Sequence, residues 1–135
     1  MFKGFFFFTL IILYALISGC DTNNDPASPS AETKTVEFYG IITPTDSTEV
    51  FRSFTYTNEA GGRSQSGVNT SNGTFSVTVQ IKPGTMVELT ATGYTTKPIF
   101  IGGNVVIYVD DVILAESSAE GRKGSNTVTV TAKIP

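Results

Sequence analysis

The sequence contains no histidine and no tryptophan, and Cys20 is its only cysteine. Histidine is the commonest general base and the commonest metal ligand, so histidine-based triads are excluded. The usual zinc sites built from cysteine and histidine are excluded for the same reason. A single cysteine cannot form a disulfide within the chain, so a folded domain must be stabilised by its core. These absences predict a protein that is not an enzyme.

The remaining chemistry-bearing residues give little support to catalysis. No Ser-x-x-Lys motif occurs, and the Gly61-Gly62 and Gly102-Gly103 pairs lack the spacing of a phosphate loop, so we interpret both as turns. Asp110 and Asp111 are adjacent acids, which favours a tight turn over a catalytic pair facing one cleft. Calcium binding by their oxygens is the alternative. We expect no metal site and no cofactor other than a covalent lipid.

The N-terminus has the three parts of a secretory signal. Lys3 precedes an apolar run over residues 5–17, and the small residues Ser18 and Gly19 follow Ile17 directly before Cys20. This pattern resembles the lipobox of bacterial lipoproteins. The alternatives are a short transmembrane anchor with an incidental thiol, although a span takes about 20 residues, and a secreted protein with a free cysteine.

The lipobox resemblance implies that the Cys20 thiol receives a diacylglyceryl group. A signal peptidase that recognises Ile17, Ser18 and Gly19 would then cut before Cys20, and the acyl chains would anchor the protein stably. The expected organisation is a signal peptide (residues 1–19), lipidated Cys20 with a flexible tether (20–34), and one domain (35–135). The acylated cysteine would leave no free thiolate.

The location follows from the same resemblance. We expect the cell envelope outside the cytoplasm, at the outer membrane or the cell surface. Asp21 would instead favour the inner membrane under the sorting rule of enteric bacteria, which other phyla do not follow. Without residues 1–19 the chain holds 8 basic and 12 acidic side chains, a net charge of −4. Nucleic acid is therefore not expected as a partner.

The tether, residues 21–34, is rich in polar residues and proline and has no large apolar side chain. From Thr35 onward apolar residues alternate with polar ones, most clearly in Phe75–Ile81 and Val128–Ile134, which is typical of half-buried antiparallel strands. A two-residue hairpin is predicted at Asp110-Asp111. No stretch shows a convincing helical period. The predicted fold is an all-β antiparallel sandwich of seven to eight strands.

The order of these elements also resembles a known pattern. A strand and turn at Phe54–Gly61 is followed by Pro83-Gly84, a strand at Val87–Ala91, and a hairpin at Val105–Asp110. This is similar to small β-sandwich lipoproteins of Bacteroidetes-type bacteria, and these in turn resemble the periplasmic domain of the MmpS family. The resemblance implies an immunoglobulin-like sandwich. MmpS proteins are accessory partners of export pumps, but no residue here carries that role over.

The predicted Asp110 hairpin is apolar on both faces, which suggests a contact surface. If it lies on an outer sheet, Val106, Tyr108 and Ile113 form an exposed apolar patch, unless the segment from Tyr94 to Ile101 covers them. Our leading hypothesis is a non-catalytic binding or accessory module with a protein partner, such as an envelope transporter or a surface assembly. The oligomeric state is left open.

The second hypothesis is a carbohydrate- or calcium-binding surface module. Its carbohydrate form requires Tyr39, Tyr94 and Tyr108 to lie on one face, where their rings can stack on sugars. Arg52 interrupts the apolar positions of its strand. We expect it to emerge at the strand end, stack on an aromatic ring or mark a bulge.

Overall fold

The computed structural model describes residues 32–47, 49–67 and 73–135, which form eight strands. The predicted signal peptide, Cys20 and nearly all of the predicted tether lie outside the described residues. The strands are β1 (Lys34–Pro44), β2 (Phe51–Thr57), β3 (Arg63–Gly67), β4 (Thr74–Ile81), β5 (Met86–Tyr94), β6 (Ile101–Val109), β7 (Val112–Gly121) and β8 (Ser125–Lys133). The domain begins its first strand one residue before the predicted boundary at Thr35.

The strands form two four-stranded antiparallel sheets. Sheet A has the order β4-β1-β6-β7, and sheet B has the order β3-β2-β5-β8. The predicted all-β sandwich of seven to eight strands is confirmed. β1 and β2 lie in different sheets, whereas the first two strands of an immunoglobulin domain share one.

Alternation of side chains brings one face of each sheet into a common core. In β1, Val36, Phe38, Gly40 and Ile42 face the core, while the residues that alternate with them point outward. The rings of Phe54 (sheet B) and Phe75 (sheet A) stack across the core at 4.8 Å between centroids. Gly40 lies opposite Phe75 in the sheet and leaves room for the Phe54 ring.

The two ends of the sandwich differ. We call the end where β1 starts the upper end; it carries the short turns at residues 58–62, 82–85 and 110–111. The lower end, where β1 finishes, carries the β1–β2, β3–β4, β5–β6 and β7–β8 connections. The β5–β6 loop is bonded to the β7–β8 turn through Thr95 N to Gly124 O (2.8 Å) and Gly124 N to Ile99 O (2.9 Å).

Of two predicted turns, one is present in the structure and the other is not. Asp110 and Asp111 form the predicted two-residue hairpin, both with positive φ (49° and 65°), as a type I′ turn requires. The turn predicted at Gly102-Gly103 is wrong, because both glycines lie inside β6. A Cβ on Gly103 would come within 2.9 Å of Val128 Cγ1 in the other sheet. Glycine at this position therefore allows the two sheets to pack closely.

Candidate functional site

The predicted apolar patch lies on the outer face of sheet A. Tyr108 is opposed to Ile113 on β7 and is half-buried, while Ile113 is 55% exposed. The expectation that Val106 is exposed is wrong, since its exposed fraction is 5%. β6 is an interior strand, so Val106 has Tyr39 on one side and Glu116 on the other. Tyr108 and Ile113 are the part of the patch that is accessible.

The segment predicted as a cover for this patch lies elsewhere. Residues 95–100 form the β5–β6 loop at the lower end, where Thr45 N donates to Phe100 O (3.1 Å). Tyr108 and Ile113 are next to the Asp110-Asp111 turn at the upper end. A bulge between Ile107 and Tyr108 in the β6–β7 pairing places Leu114 against the core.

The three tyrosines required by the carbohydrate hypothesis do not share a face. Tyr39 and Tyr108 alternate with core residues of β1 and β6 and lie on the outer face of sheet A. Tyr94 lies on the outer face of sheet B, on the opposite side of the domain. The carbohydrate form of the second hypothesis is therefore wrong.

Asp110 contacts two residues at the start of β1. Its carboxylate lies 3.2 Å from Lys34 Nζ and accepts a hydrogen bond from Thr35 N, also 3.2 Å long. Across residues 32–47, 49–67 and 73–135, no group of three His, Cys, Asp or Glu residues is arranged to hold a metal ion. Asp110 therefore fastens the hairpin to β1.

Arg52 occupies a core-facing position near the start of β2 and is 9% exposed. Its Nε donates to Ile42 O and its Nη1 to Val50 O, both at 3.2 Å. The expectation that Arg52 emerges from the domain is wrong. It remains inside the lower end and bonds backbone carbonyls where β1 finishes and β2 begins.

An exposed aromatic pair on sheet B was not predicted as a site. Phe51 and Tyr94 are directly opposed in the β2–β5 pairing, and their exposed fractions are 61% and 53%. A depression of about 310 Å³ adjoins them, with Glu49, Val50, Thr95 and Thr96 completing its lining. We call this feature the Phe51–Tyr94 shelf. The sequence signal was that Phe51 is out of phase with Phe54 and Tyr56, but that did not identify its partner.

Above the shelf, the outer face of sheet B carries rows of hydroxyl side chains. Thr92 and Thr127 are opposed and bonded through their hydroxyls at 3.3 Å, and Thr90 and Thr129 are bonded in the same way at 2.9 Å. Gln65 Nε2 donates to Ser53 Oγ at 2.7 Å. These bonds fix the positions of the hydroxyls on this face.

A second depression, of about 460 Å³, lies on the outer face of sheet A over Gly102. Ile41 and Thr43 form one side of it, and Ser118 and Glu120 form the other. Asn104 Nδ2 donates to Glu116 Oε1 at 2.8 Å. This depression exists because Gly102 has no side chain, and it contains a single carboxylate among its lining residues.

The comparisons with known proteins show the fold. No protein family matches the sequence, and no curated protein matches it either. The chain is similar to the crystal structure of a DUF4425 family protein from Bacteroides ovatus (TM-score 0.54, 11% identity), over 74% of this chain and 96% of that one. It is also similar to the crystal structure of a domain of unknown function, DUF4425, from Bacteroides vulgatus (TM-score 0.52, 16% identity), over 75% and 96%.

These neighbours are consistent with the expected Bacteroidetes-type β-sandwich domain. At such low identity the likeness shows the fold alone, and the neighbours' descriptions assign no activity. The MmpS resemblance and the lipobox stay predictions. No helix long and apolar enough to cross a membrane is found in the part of the chain that the structure describes.

Proposed function

We propose that the protein is a lipid-anchored, non-catalytic binding or accessory module of the cell envelope. The anchor is Cys20, which follows an apolar segment and the small residues Ser18 and Gly19. The β-sandwich is the part that contacts a partner. Its proposed place is the outer membrane or the cell surface, in the manner of a Bacteroidetes-type lipoprotein.

The observation that carries this proposal is that the N-terminal chain joins one end of the domain, whereas the exposed aromatic side chains lie at the other end. The chain begins β1 at the upper end, at Lys34, so any N-terminal anchor is joined there. The described residues expose three large aromatic side chains, Phe51, Tyr94 and Phe100, and all lie at the lower end. β1 is 11 residues long, which separates the two ends by about 34 Å. The exposed aromatics therefore face away from the anchored end.

The lining of the shelf supports binding rather than catalysis. Glu49 is the one carboxylate in this lining, whereas the common mechanisms of glycoside hydrolysis use two. Exposed aromatics at a surface, in contrast, are typical of contact sites. A protein partner such as an envelope transporter or a surface assembly has a second surface available at Tyr108 and Ile113 on sheet A.

The anchor is tested by the variant Cys20→Ser. We expect that variant to incorporate no labelled palmitate and to accumulate as an uncleaved precursor, while the parent protein is labelled and fractionates with the envelope. Equal incorporation of label into both proteins would overturn the proposed anchor.

The binding role is tested by cross-linking on intact cells. A photoreactive side chain introduced at Thr96, beside the shelf, should give a discrete adduct, whereas the same group at Lys82, in an upper-end turn, should give none. An adduct from Lys82 only would contradict the proposed use of the lower end. Ile113 provides a third position that tests the sheet A patch by itself.

A further inference from the structure

The outer face of sheet A carries an open depression at the lower end of the domain. Gly102, in the interior strand β6, is paired with Thr43, and a Cβ on this glycine would have only Thr43 O within 4 Å. The depression of about 460 Å³ has Ile41 on one side, and Ser118 and Glu120 of β7 on the other. A side chain of a partner can therefore enter this space, at the end of the domain that lies away from the proposed anchor.

Apolar surface continues from the depression toward the upper end. Beyond Asn104, the outward positions of β6 are taken by Val106 and Tyr108, and Ile113 of β7 is opposed to Tyr108. Ile113 is 55% exposed and Tyr108 is half-buried. From Gly102 to Tyr108 the strand runs about 20 Å, so an apolar contact area lies within reach of the same partner segment that enters the depression.

The charges on this face are all negative. Glu116 and Glu120 occupy outward positions of β7, and Glu37 occupies one of β1, whereas the described residues place no lysine or arginine at the outward positions of the four strands. Asn104 Nδ2 donates to Glu116 Oε1 at 2.8 Å, and Ser76 Oγ donates to Glu37 Oε1 at 2.7 Å. These neutral donors orient the two carboxylates and leave their charges in place.

The face therefore fits a partner that is cationic and partly apolar. Arginine and lysine combine an apolar stem with a charged head, so a stem can lie against Ile41 over Gly102 while its head reaches Glu120. A polyanion would be repelled by this face. A neutral partner would take the carboxylates out of water without pairing them, which is costly.

The spacing of the carboxylates favours an extended partner segment. Glu116 and Glu120 are four residues apart in β7, which separates them by about 13 Å. An extended chain repeats its side chains on one face about every 7 Å, so two basic residues that are four apart in the partner reach both carboxylates. The next position on that face of the partner lies over Tyr108 and Ile113.

We propose that the outer face of sheet A binds an extended basic segment of a protein partner. One arginine or lysine of the segment enters the depression and pairs with Glu120, a second pairs with Glu116, and an apolar residue contacts Tyr108 and Ile113. This inference deepens the proposed function by naming the chemistry of the partner, and it rests on that function only for the display of the domain outside the cell.

The test is fluorescence anisotropy with two labelled nonapeptides and the full chain in a mild nonionic detergent. The first peptide is Leu-Thr-Arg-Thr-Ser-Thr-Arg-Thr-Leu, which places two arginines four residues apart and has the same sequence in both directions. The second peptide has glutamate in place of both arginines. We expect the arginine peptide to bind more weakly as salt is added, and the glutamate peptide to give the anisotropy seen with detergent alone.

Variants of the face separate the charges from the depression. Glu120→Gln and Glu116→Gln should each weaken binding of the arginine peptide about two- to fivefold, the range of exposed ion pairs. Gly102→Val keeps both carboxylates but fills the depression, so it should weaken binding as well. The matched control is Glu59→Gln, which removes the same charge from the turn at residues 58–62 and keeps the side-chain oxygen that accepts from Gln80 N. This control should bind like the parent protein.

Four outcomes would overturn the inference: no binding of the arginine peptide, equal binding of the glutamate peptide, equal weakening by Glu59→Gln, or unchanged affinity in all three face variants. Failure here is distinguishable from failure of the proposed function. A cross-linked envelope protein at Thr96, together with no peptide binding, would leave the binding module in place and remove the basic segment. Loss of the Cys20 anchor with intact peptide binding would do the reverse.

Discussion

At the scale of single residues, two glycines of sheet A differ in what a side chain would meet. A Cβ on Gly40 would lie 2.7 Å from Phe54 Cε1, inside the core, whereas a Cβ on Gly102 would meet only Thr43 O at 3.6 Å. Gly40→Ala should therefore destabilise the domain by about 1–3 kcal/mol through overpacking. Urea unfolding measures this change.

Gly102→Ala is the control for that prediction. It adds the same methyl group inside a strand but into open space, and alanine restricts the unfolded chain more than glycine. We expect this variant to be as stable as the parent or more stable by up to about 1 kcal/mol. Equal destabilisation by both variants would mean that the Phe54 ring does not set the requirement at Gly40.

Arg52 is the second residue whose role follows from its contacts. Its guanidinium donates to the carbonyls of Ile42 and Val50 inside the lower end, so Arg52→Met should leave buried acceptors without these donors. The expected cost is about 1–3 kcal/mol in the free energy of unfolding.

The comparison for Arg52 is Arg63→Met. The Arg63 side chain is 68% exposed and forms a surface ion pair with Glu88, which is worth at most about 1 kcal/mol. In thermal unfolding, the Arg52 variant should have a clearly lower melting temperature than the Arg63 variant. An Arg63 variant less stable than the Arg52 variant would contradict the role given to the buried guanidinium.

At the scale of elements, the β6–β7 hairpin is built on a turn that its residues tolerate but do not favour. Asp111 has φ of 65°, which glycine adopts without strain. Asp111→Gly should therefore stabilise the domain by up to about 1 kcal/mol. Asp110→Ala should have the opposite effect, because it removes the partner of Lys34 and the acceptor for Thr35 N. Denaturant midpoints of the two variants test this contrast.

The strands that the sequence predicted are those with a regular alternation of apolar and polar residues. β4 alternates over its whole length and β8 alternates from Thr127 onward, and the structure turns their apolar residues to the core, with Val77 and Ala132 partly buried. β3 was not predicted because Arg63–Gly67 contains no apolar residue. It is an edge strand that pairs only with β2 and has few core positions to fill. Local pattern therefore identifies strands that bury a face and misses those defined by backbone pairing.

The candidate site was less predictable than the fold for a related reason. Phe51 was recognisable as out of phase within β2, but its opposition to Tyr94 depends on the register of two strands that are distant in sequence. The burial of Val106 depends on Tyr39 and Glu116, which belong to different neighbouring strands. The face on which a residue lies can be read from its own strand. Its neighbours across the sheet depend on strand pairing, which the local sequence does not specify.

At the scale of the whole molecule, the point where the chain joins the domain determines which surfaces it can present. Lys34 begins β1 at the upper end, and the lower end is about 34 Å away along the strands. A tether of residues 21–34 spans at most about 46 Å when fully extended. A shorter tether should bring the turns of the upper end close to the membrane and leave the lower end accessible.

This orientation predicts a difference between two single-cysteine variants. Acylation of Cys20 would leave no other thiol in the chain, so Lys82→Cys marks the upper end and Thr96→Cys marks the lower end. With the full tether, a bulky maleimide should label both positions on lipoprotein reconstituted in vesicles. Deletion of residues 23–30 removes about 26 Å of reach and should slow labelling at position 82 while labelling at position 96 continues at the original rate. Equal slowing at both positions would contradict presentation of the lower end, because a domain lying on its side brings both ends to the membrane together.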